Sequence, residues 1–449
     1  MSVSNAMFSS RFGFLMAAVG FAVGLGNIWR FPYLTGENGG GAFVVVYLLC
    51  VLIIGVPIIM AELLIGRRGR LSPPRALVAV ATAEGASARW GWLGSLNVFA
   101  AFLIVGVYAV VVGWVLRYLF LAITNNFAAI NIFGAASLFE ETLANTGMSL
   151  LWTSVGLVVT GVIMVGGVQR GIERSVRVLM PMLFVLLVLL ALYNVFAGGF
   201  SQALQYLFVP DFSLVTPSLV LVAVGQAFFS IGVAMAGMMT FGAYLPSDIS
   251  IPRSAVIIAL GDTLVALLAG LVIFPAVFHN GLDPADGTGL IFQTLPVAFA
   301  QMPGGYAVAV FFFLLLSVAA ITSMLGLIEP IIAWLCETMQ WQRARASVVA
   351  LAGVTCLSII SVLSNSGWSQ ARAFGLSLSQ LLDFLPNQLL LPIGGMLIAV
   401  FAGWRMSANA SSQELALADD SLLFRTWRVL VRFFVPLVIG VIFVAGLTD

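Results

Sequence analysis

Eleven stretches of this 449-residue chain each hold about 20 or more mostly apolar residues, the length that crosses a bilayer as a helix. They run over 12–36, 41–66, 91–122, 149–168, 178–198, 218–243, 253–278, 306–336, 346–364, 374–404 and 429–447. Their apolar residues are continuous and lack the two-residue alternation of an outer-membrane barrel, so they read as helices. Composition agrees: 61% of residues are hydrophobic and 8% charged, with a mean hydropathy of +1.11. A soluble domain needs about 25% charge to face water. Disorder, a collagen-like chain, a disulfide scaffold and a nucleic-acid binder are excluded. Cys50, Cys336 and Cys356 lie in apolar runs without paired spacing and read as small hydrophobes, while the single His279 excludes a His-rich metal site. The segment before Phe12 is too polar, and the first run too long, for a cleaved signal peptide. An all-α polytopic membrane protein is expected.

Arginine sets the expected orientation. All 19 basic residues are Arg, and net charge is only +1. With a cytoplasmic N-terminus, 15 of them fall on inner segments, such as Arg67, Arg68 and Arg70, and only Arg372 falls on an outer loop. This positive-inside bias and an odd number of spans put the C-terminus outside. The outer loops carry Glu140, Glu141, Asp211, Asp283 and Asp286 instead.

Two spans are poor helices in their middles. The first reads Gly20-Phe21-Ala22-Val23-Gly24-Leu25-Gly26-Asn27, the sixth Phe229-Ser230-Ile231-Gly232-Val233-Ala234-Met235-Ala236-Gly237. Glycine in a membrane helix commonly serves close packing. Two such segments at corresponding places in two blocks of five spans point instead to discontinuous helices around a transporter's midplane site. Unwound turns expose carbonyls to a cation, and half-helix N-termini offer N–H groups to an anion. Arg30, Glu37, Glu62, Asp262, Glu329 and Asp383 lie within or at the edges of apolar runs, where pairing or a water path is expected. For Glu62 and Glu329 a buried ion pair fixing helix register is favoured. For Arg30 and Asp262, beside the broken segments, function is favoured.

The run Gly24-Leu25-Gly26-Asn27-Ile28-Trp29-Arg30-Phe31-Pro32-Tyr33, followed by Glu37-Asn38-Gly39-Gly40-Gly41-Ala42-Phe43, resembles the neurotransmitter:sodium symporter family, in particular bacterial amino-acid transporters of the leucine-transporter type. Gln226-Ala227-Phe228-Phe229-Ser230 and Ala319-Ala320-Ile321-Thr322-Ser323 fit the same family in order and spacing. The resemblance implies 11 transmembrane helices in one transporter domain, 1–449, with two inverted five-helix repeats (12–198 and 218–404) and an eleventh helix at 429–447. Helices 1 and 6 would be unwound. It also implies a sodium-driven amino-acid symporter in a bacterial inner membrane, with two sodium ions, an L-amino acid and the lipid bilayer as partners and no organic cofactor.

Residue by residue, one sodium site would take the carbonyls of Gly20, Val23 and Ala319 with the hydroxyls of Thr322 and Ser323. A Thr-Ser pair alone means little, because such hydroxyls often bond back to their own helix. The other site would use Ala22, Asn27, Ser230 and Asp262 with the substrate carboxylate. Relatives that move monoamines carry Asp where this chain has Gly24, so Gly24 favours a substrate that brings its own carboxylate. The substrate pocket would take Ala22, Gly24, Gly26, Ile104, Tyr108, Phe229, Ser230, Gly232, Met235, Met324 and Leu327. Tyr108 would bond the carboxylate and Phe229 would act as lid, and the apolar wall suits a bulky aliphatic or aromatic side chain. Tyr47, Gln226 and Ser230 match the residues that hold chloride in chloride-dependent relatives, but the seventh-helix Ser position reads Ala266. Asp262, one turn earlier, would supply that charge, making transport chloride-independent.

The gates depart from the family pattern. Arg30 and Gln226 resemble half of the outer gate, yet the usual acidic position in the tenth helix reads Pro386, with Asp383 three residues before it. Tyr244 and Glu337 match the inner gate, whose N-terminal Arg position reads Asn5; Arg11 is the nearest cation, and Phe8 stands where Trp is common. Two other functions share these features: a ligand sensor that keeps the fold, and an uncoupled facilitator. An intramembrane enzyme would need a nucleophile–base or metal constellation, which one loop histidine does not supply.

Overall fold

The computed structural model describes residues 7–285, 289–368 and 370–448; Asn5 and Asp286 lie outside them. Among the described residues nine helices are long and apolar enough to span a membrane, from Gly41–Gly69 to Leu422–Gly446. A tenth span is the bent pair Arg11–Ala22 and Gly26–Glu37, whose axes differ by 50°. The sixth apolar run is two short helices, Pro217–Ser230 and Gly237–Ala243.

Local chemistry accounts for the starts and stops. Ser10 accepts from the Gly13 N–H and opens the first helix, which ends as Val23 turns extended at ψ 105°. Pro217 occupies the first turn of its helix, where no backbone donor is lost. Between Ser230 and Gly237 the chain takes positive φ three times, at Gly232 (+70°), Ala234 (+62°) and Ala236 (+62°). Glycine does this freely, but each alanine pays of order 1 kcal/mol. The break is therefore held by its surroundings rather than by local preference.

Most spans end near the expected limits, with informative shifts. The run at 374–404 begins as a helix only at Leu378, because Arg372–Ala373 and Leu376–Ser377 pair as a small antiparallel hairpin turning through Phe374 and Gly375. The last span starts at Leu422, capped by Ser421, rather than at 429. At the centre, the Gly305–Thr338 helix packs against the Ala88–Ile123 helix and against Arg11–Ala22. The Gly41–Gly69 helix packs on Gly237–Ala243, so closely that a Cβ at Gly66 would stand 1.9 Å from the Met239 carbonyl oxygen. These contacts bring both helix breaks against the middle of the Gly305–Thr338 helix.

Candidate functional site

Oxygen atoms converge where the first break meets the Gly305–Thr338 helix. The Ser323 hydroxyl lies 3.0 Å from the Val23 carbonyl and 3.3 Å from that of Gly20. These carbonyls are free because a terminating helix leaves its last C=O groups unpaired. The Thr322 hydroxyl bonds back to the Val318 and Ala319 carbonyls, each at 3.0 Å, while its Cβ packs where a Gly20 side chain would start. Gly20, Val23, Ala319, Thr322 and Ser323 are thus gathered in one place, with five neutral oxygens of the kind a hard cation prefers.

A second cluster surrounds Asp262. Asn27 Nδ2 donates to Asp262 Oδ1 at 2.7 Å, to the Asp262 carbonyl at 3.0 Å and to Ser230 Oγ at 3.0 Å. Its Oδ1 accepts from the Gly24 N–H at 3.1 Å. Ser230 and Tyr47 donate to Asp262 Oδ2 at 2.8 and 3.2 Å. Asn27 and Asp262 are fully buried, and none of the ion pairs among the described residues includes Asp262. The carboxylate is held by neutral donors alone. Gln226 differs from expectation: it is buried and turns Nε2 to the Gly26 carbonyl at 2.8 Å, making it a brace for the first break rather than a companion of Arg30.

Between the clusters lies a cavity of ≈ 30 Å³. It is walled by Ala22, Gly24, Gly26, Ile104, Tyr108, Phe229, Ser230, Gly232, Met235 and Leu327, with Phe21, Leu25 and Ser323. Met324, expected in this wall, is fully buried but does not line the cavity. The Tyr108 hydroxyl is buried beside the Ser323 hydroxyl and the Leu25 backbone without a well-formed hydrogen bond, and lies 3.2 Å from where a Gly24 Cβ would be. A buried hydroxyl so placed is a waiting donor. Phe21 sets the floor. Its ring fills the space that side chains at Gly232, Gly237 and Gly326 would need, all within 3.0 Å of a built Cβ. That slot joins three separate segments and could not be read from any one of them.

Above the cavity, the Arg30 guanidinium stacks over the Phe229 ring at 4.6 Å from its centroid. Phe229 separates the cavity from a vestibule of ≈ 460 Å³ lined by Arg30, Trp29, Trp114, Asp383 and Pro386. Asp383 faces this vestibule and accepts from Asn387 at 2.8 Å, with no ion pair to Arg30. The two charges stand apart across the opening.

The arginine-rich end is closed. Tyr244 donates to Glu329 Oε1 at 2.7 Å, and Arg343 grips both oxygens of Glu329 at 2.9 and 2.6 Å. Phe8 packs edge-on against Phe14, Phe241 and Tyr244, and its N–H donates to the Tyr244 carbonyl. Glu329 therefore has its ion pair, but Tyr244 does not work with Glu337. Glu337 instead accepts from the Ser72 N–H at 3.0 Å, clamping the loop that follows Gly41–Gly69. The cation of this latch is Arg343, which counted in the sequence only towards orientation. The helix stop after Thr338 and restart at Arg343 fold it back onto Glu329, one signal that could have found it. Glu62 departs further. It makes no ion pair among the described residues and accepts from the Ala234 N–H at 2.6 Å, because unwinding the sixth span frees backbone donors that only a side chain can satisfy.

The chain is matched by the sodium:neurotransmitter symporter family over residues 5–133 and 128–449. It is 35% identical over 442 residues to an uncharacterized sodium-dependent transporter, YhdH, of Bacillus subtilis, covering 97% of this chain and 96% of the relative. An uncharacterized sodium-dependent transporter of Haemophilus influenzae is 34% identical over 446 residues, covering 98% and 97%. Among solved structures, the crystal structure of MhsT in complex with L-phenylalanine superposes with a TM-score of 0.90 at 39% identity, covering 98% of this chain and 100% of that one. Family match, relatives and shared architecture agree along nearly the whole length: this multi-pass membrane protein belongs to the sodium:neurotransmitter symporter family, a family of transporters rather than enzymes.

Proposed function

We propose that the protein is a sodium-coupled symporter that imports a bulky aliphatic or aromatic L-amino acid by alternating access. The observation that carries this reading is the meeting of the Gly20 and Val23 carbonyls with the Ser323 hydroxyl at the first helix break. Sodium would take these oxygens together with Ala319 and Thr322. A second sodium would lie at Asn27, Ser230, Asp262 and the Ala22 carbonyl, completed by the substrate carboxylate. The amide of Asn27 would then present Oδ1 instead of Nδ2, a half-turn of the amide group. Tyr108 would donate to the carboxylate, and Ile104, Phe229, Met235 and Leu327 would cover the side chain. The L-phenylalanine bound by MhsT supports this class of substrate.

Each helix break would lie within one span, giving eleven spans in two inverted repeats, 12–198 and 218–404. The closed, arginine-rich end would face the cytoplasm. Entry would proceed through the vestibule and past Phe229, after which Arg30 and Asp383 would approach each other. Asp262 would supply the charge that chloride gives to relatives that need it. The test is uptake of labelled L-phenylalanine and L-leucine into proteoliposomes. Uptake should follow an inward sodium gradient, persist with gluconate in place of chloride, and fail in the double variant Thr322→Ala/Ser323→Ala. Equal uptake in sodium and potassium would mark an uncoupled facilitator, and binding without uptake would mark a sensor.

A further inference from the structure

Away from the pocket, four arginines gather where the Leu378–Arg405 helix ends and the Leu422–Gly446 helix begins: Arg405, Arg425, Arg428 and Arg432. The Arg432 guanidinium lies 4.1 Å above the Trp404 ring, and Trp404 Nε1 donates to the Arg432 carbonyl at 2.8 Å. Arg428 Nη2 donates to the Met406 carbonyl at 3.0 Å. Arg405, exposed, sits between these two contact points. Every ion pair among the described residues is made by other arginines. The neighbouring acids, Asp419 and Asp420, are exposed in the connecting loop; Asp419 and Arg432 both act on Arg428 through space.

Two donors here are unsatisfied. Arg428 Nη1 and Arg432 Nε are buried and have no hydrogen-bond partner among the described residues. Such atoms on permanently charged groups call for a charged acceptor. Directly beyond them the last span is bare and apolar, with Phe433 54%, Leu437 67% and Val441 54% exposed. A cationic cluster with unfilled donors at the foot of an uncovered apolar helix has the layout of a phospholipid: phosphate first, acyl chains beyond.

We propose that this arginine cluster at the junction of the last two spans binds the headgroup of an anionic phospholipid, with Arg428 and Arg432 donating to its phosphate and its chains lying along Phe433, Leu437 and Val441. A free phosphate would satisfy the donors but leave the apolar flank unused, and a zwitterionic lipid would bring its own cation into an arginine cluster. Trp404, half-exposed beside the cluster, suits the headgroup level where tryptophan concentrates.

The test is native mass spectrometry of the full-length, detergent-solubilised protein with dioleoyl phosphatidylglycerol or dioleoyl phosphatidylcholine. The wild type should retain phosphatidylglycerol roughly tenfold or more over phosphatidylcholine, given what each arginine contributes near an anionic lipid surface. Arg428→Gln/Arg432→Gln should lose most of that preference. Arg89→Gln/Arg345→Gln, which removes as much charge from exposed positions elsewhere, should keep it. Millimolar inorganic phosphate should not displace the lipid. Equal retention of the two lipids by the wild type, an equal loss in the Arg89/Arg345 variant, or displacement by phosphate would each overturn the proposal. The wild-type comparison stands whether or not the double variant folds.

Discussion

At the scale of single residues, the pocket is defined by what it leaves unpaired. The Tyr108 hydroxyl is a buried donor that makes no well-formed hydrogen bond, a state that costs up to about 1–3 kcal/mol. Tyr108→Phe should therefore melt no lower than the wild type in the absence of substrate. Its affinity for L-phenylalanine should nevertheless fall at least about tenfold, since a hydrogen bond to a charged group contributes about 1.5–3 kcal/mol. Thermal melting and equilibrium binding on the same preparation separate the two effects. Gly24 makes the complementary case. A Cβ there would lie 2.4 Å from Ser323 Oγ and 3.2 Å from the Tyr108 hydroxyl. Gly24→Asp adds this crowding to a carboxylate placed beside the substrate's own, in surroundings where like charges repel strongly. Amino-acid binding should be lost while the protein still inserts, and retained affinity in a binding titration would show that the substrate carboxylate lies elsewhere.

At the scale of elements, the second break depends on a side chain 172 residues away. Glu62 accepts from the Ala234 N–H, and Ala234 and Ala236 both sit at φ +62°. Glu62→Leu leaves that N–H buried and unpaired, so it should destabilise the protein by about 1–3 kcal/mol. Glu62→Gln keeps a carbonyl acceptor and should be nearly neutral, which a pair of thermal unfolding curves will check. The breaks themselves were legible, because glycines interrupt two otherwise continuous apolar runs. The device that holds the second one open was not: an intramembrane acid suggests a cation as its partner, and only the fold shows that a freed backbone N–H takes that place. The same limit applies to the Phe21 slot, whose ring comes from the first span and whose glycines come from the sixth (Gly232, Gly237) and from the Gly305–Thr338 helix (Gly326). Span limits were legible except where a turn such as Phe374-Gly375 hides inside an apolar run, or where a helix starts in polar residues ahead of its apolar run, as at Val168 and Leu422.

At the scale of the molecule, the two ends are sealed by unequal chemistry. Arg343 holds Glu329, which in turn holds Tyr244, at one end; Arg30 and Asp383 stand unpaired across a vestibule at the other. Removing one partner of a buried pair costs about 3–5 kcal/mol, because the remaining charge is stranded. Arg343→Gln should therefore weaken the closed form, widen spin-label distances across the arginine-rich end and lower substrate affinity. Unchanged distances would mean that the aromatic packing of Phe8 suffices by itself. The unequal seals have a kinetic consequence. Shutting the wide mouth requires a guanidinium and a carboxylate to approach through water, whereas unlocking the far end requires an ion pair to be pulled apart in a medium that screens it poorly. In the proposed symporter, discharge of cargo rather than its capture should therefore govern turnover. An idle symporter of this kind would wait with its vestibule open, the posture of a scavenger working in dilute surroundings.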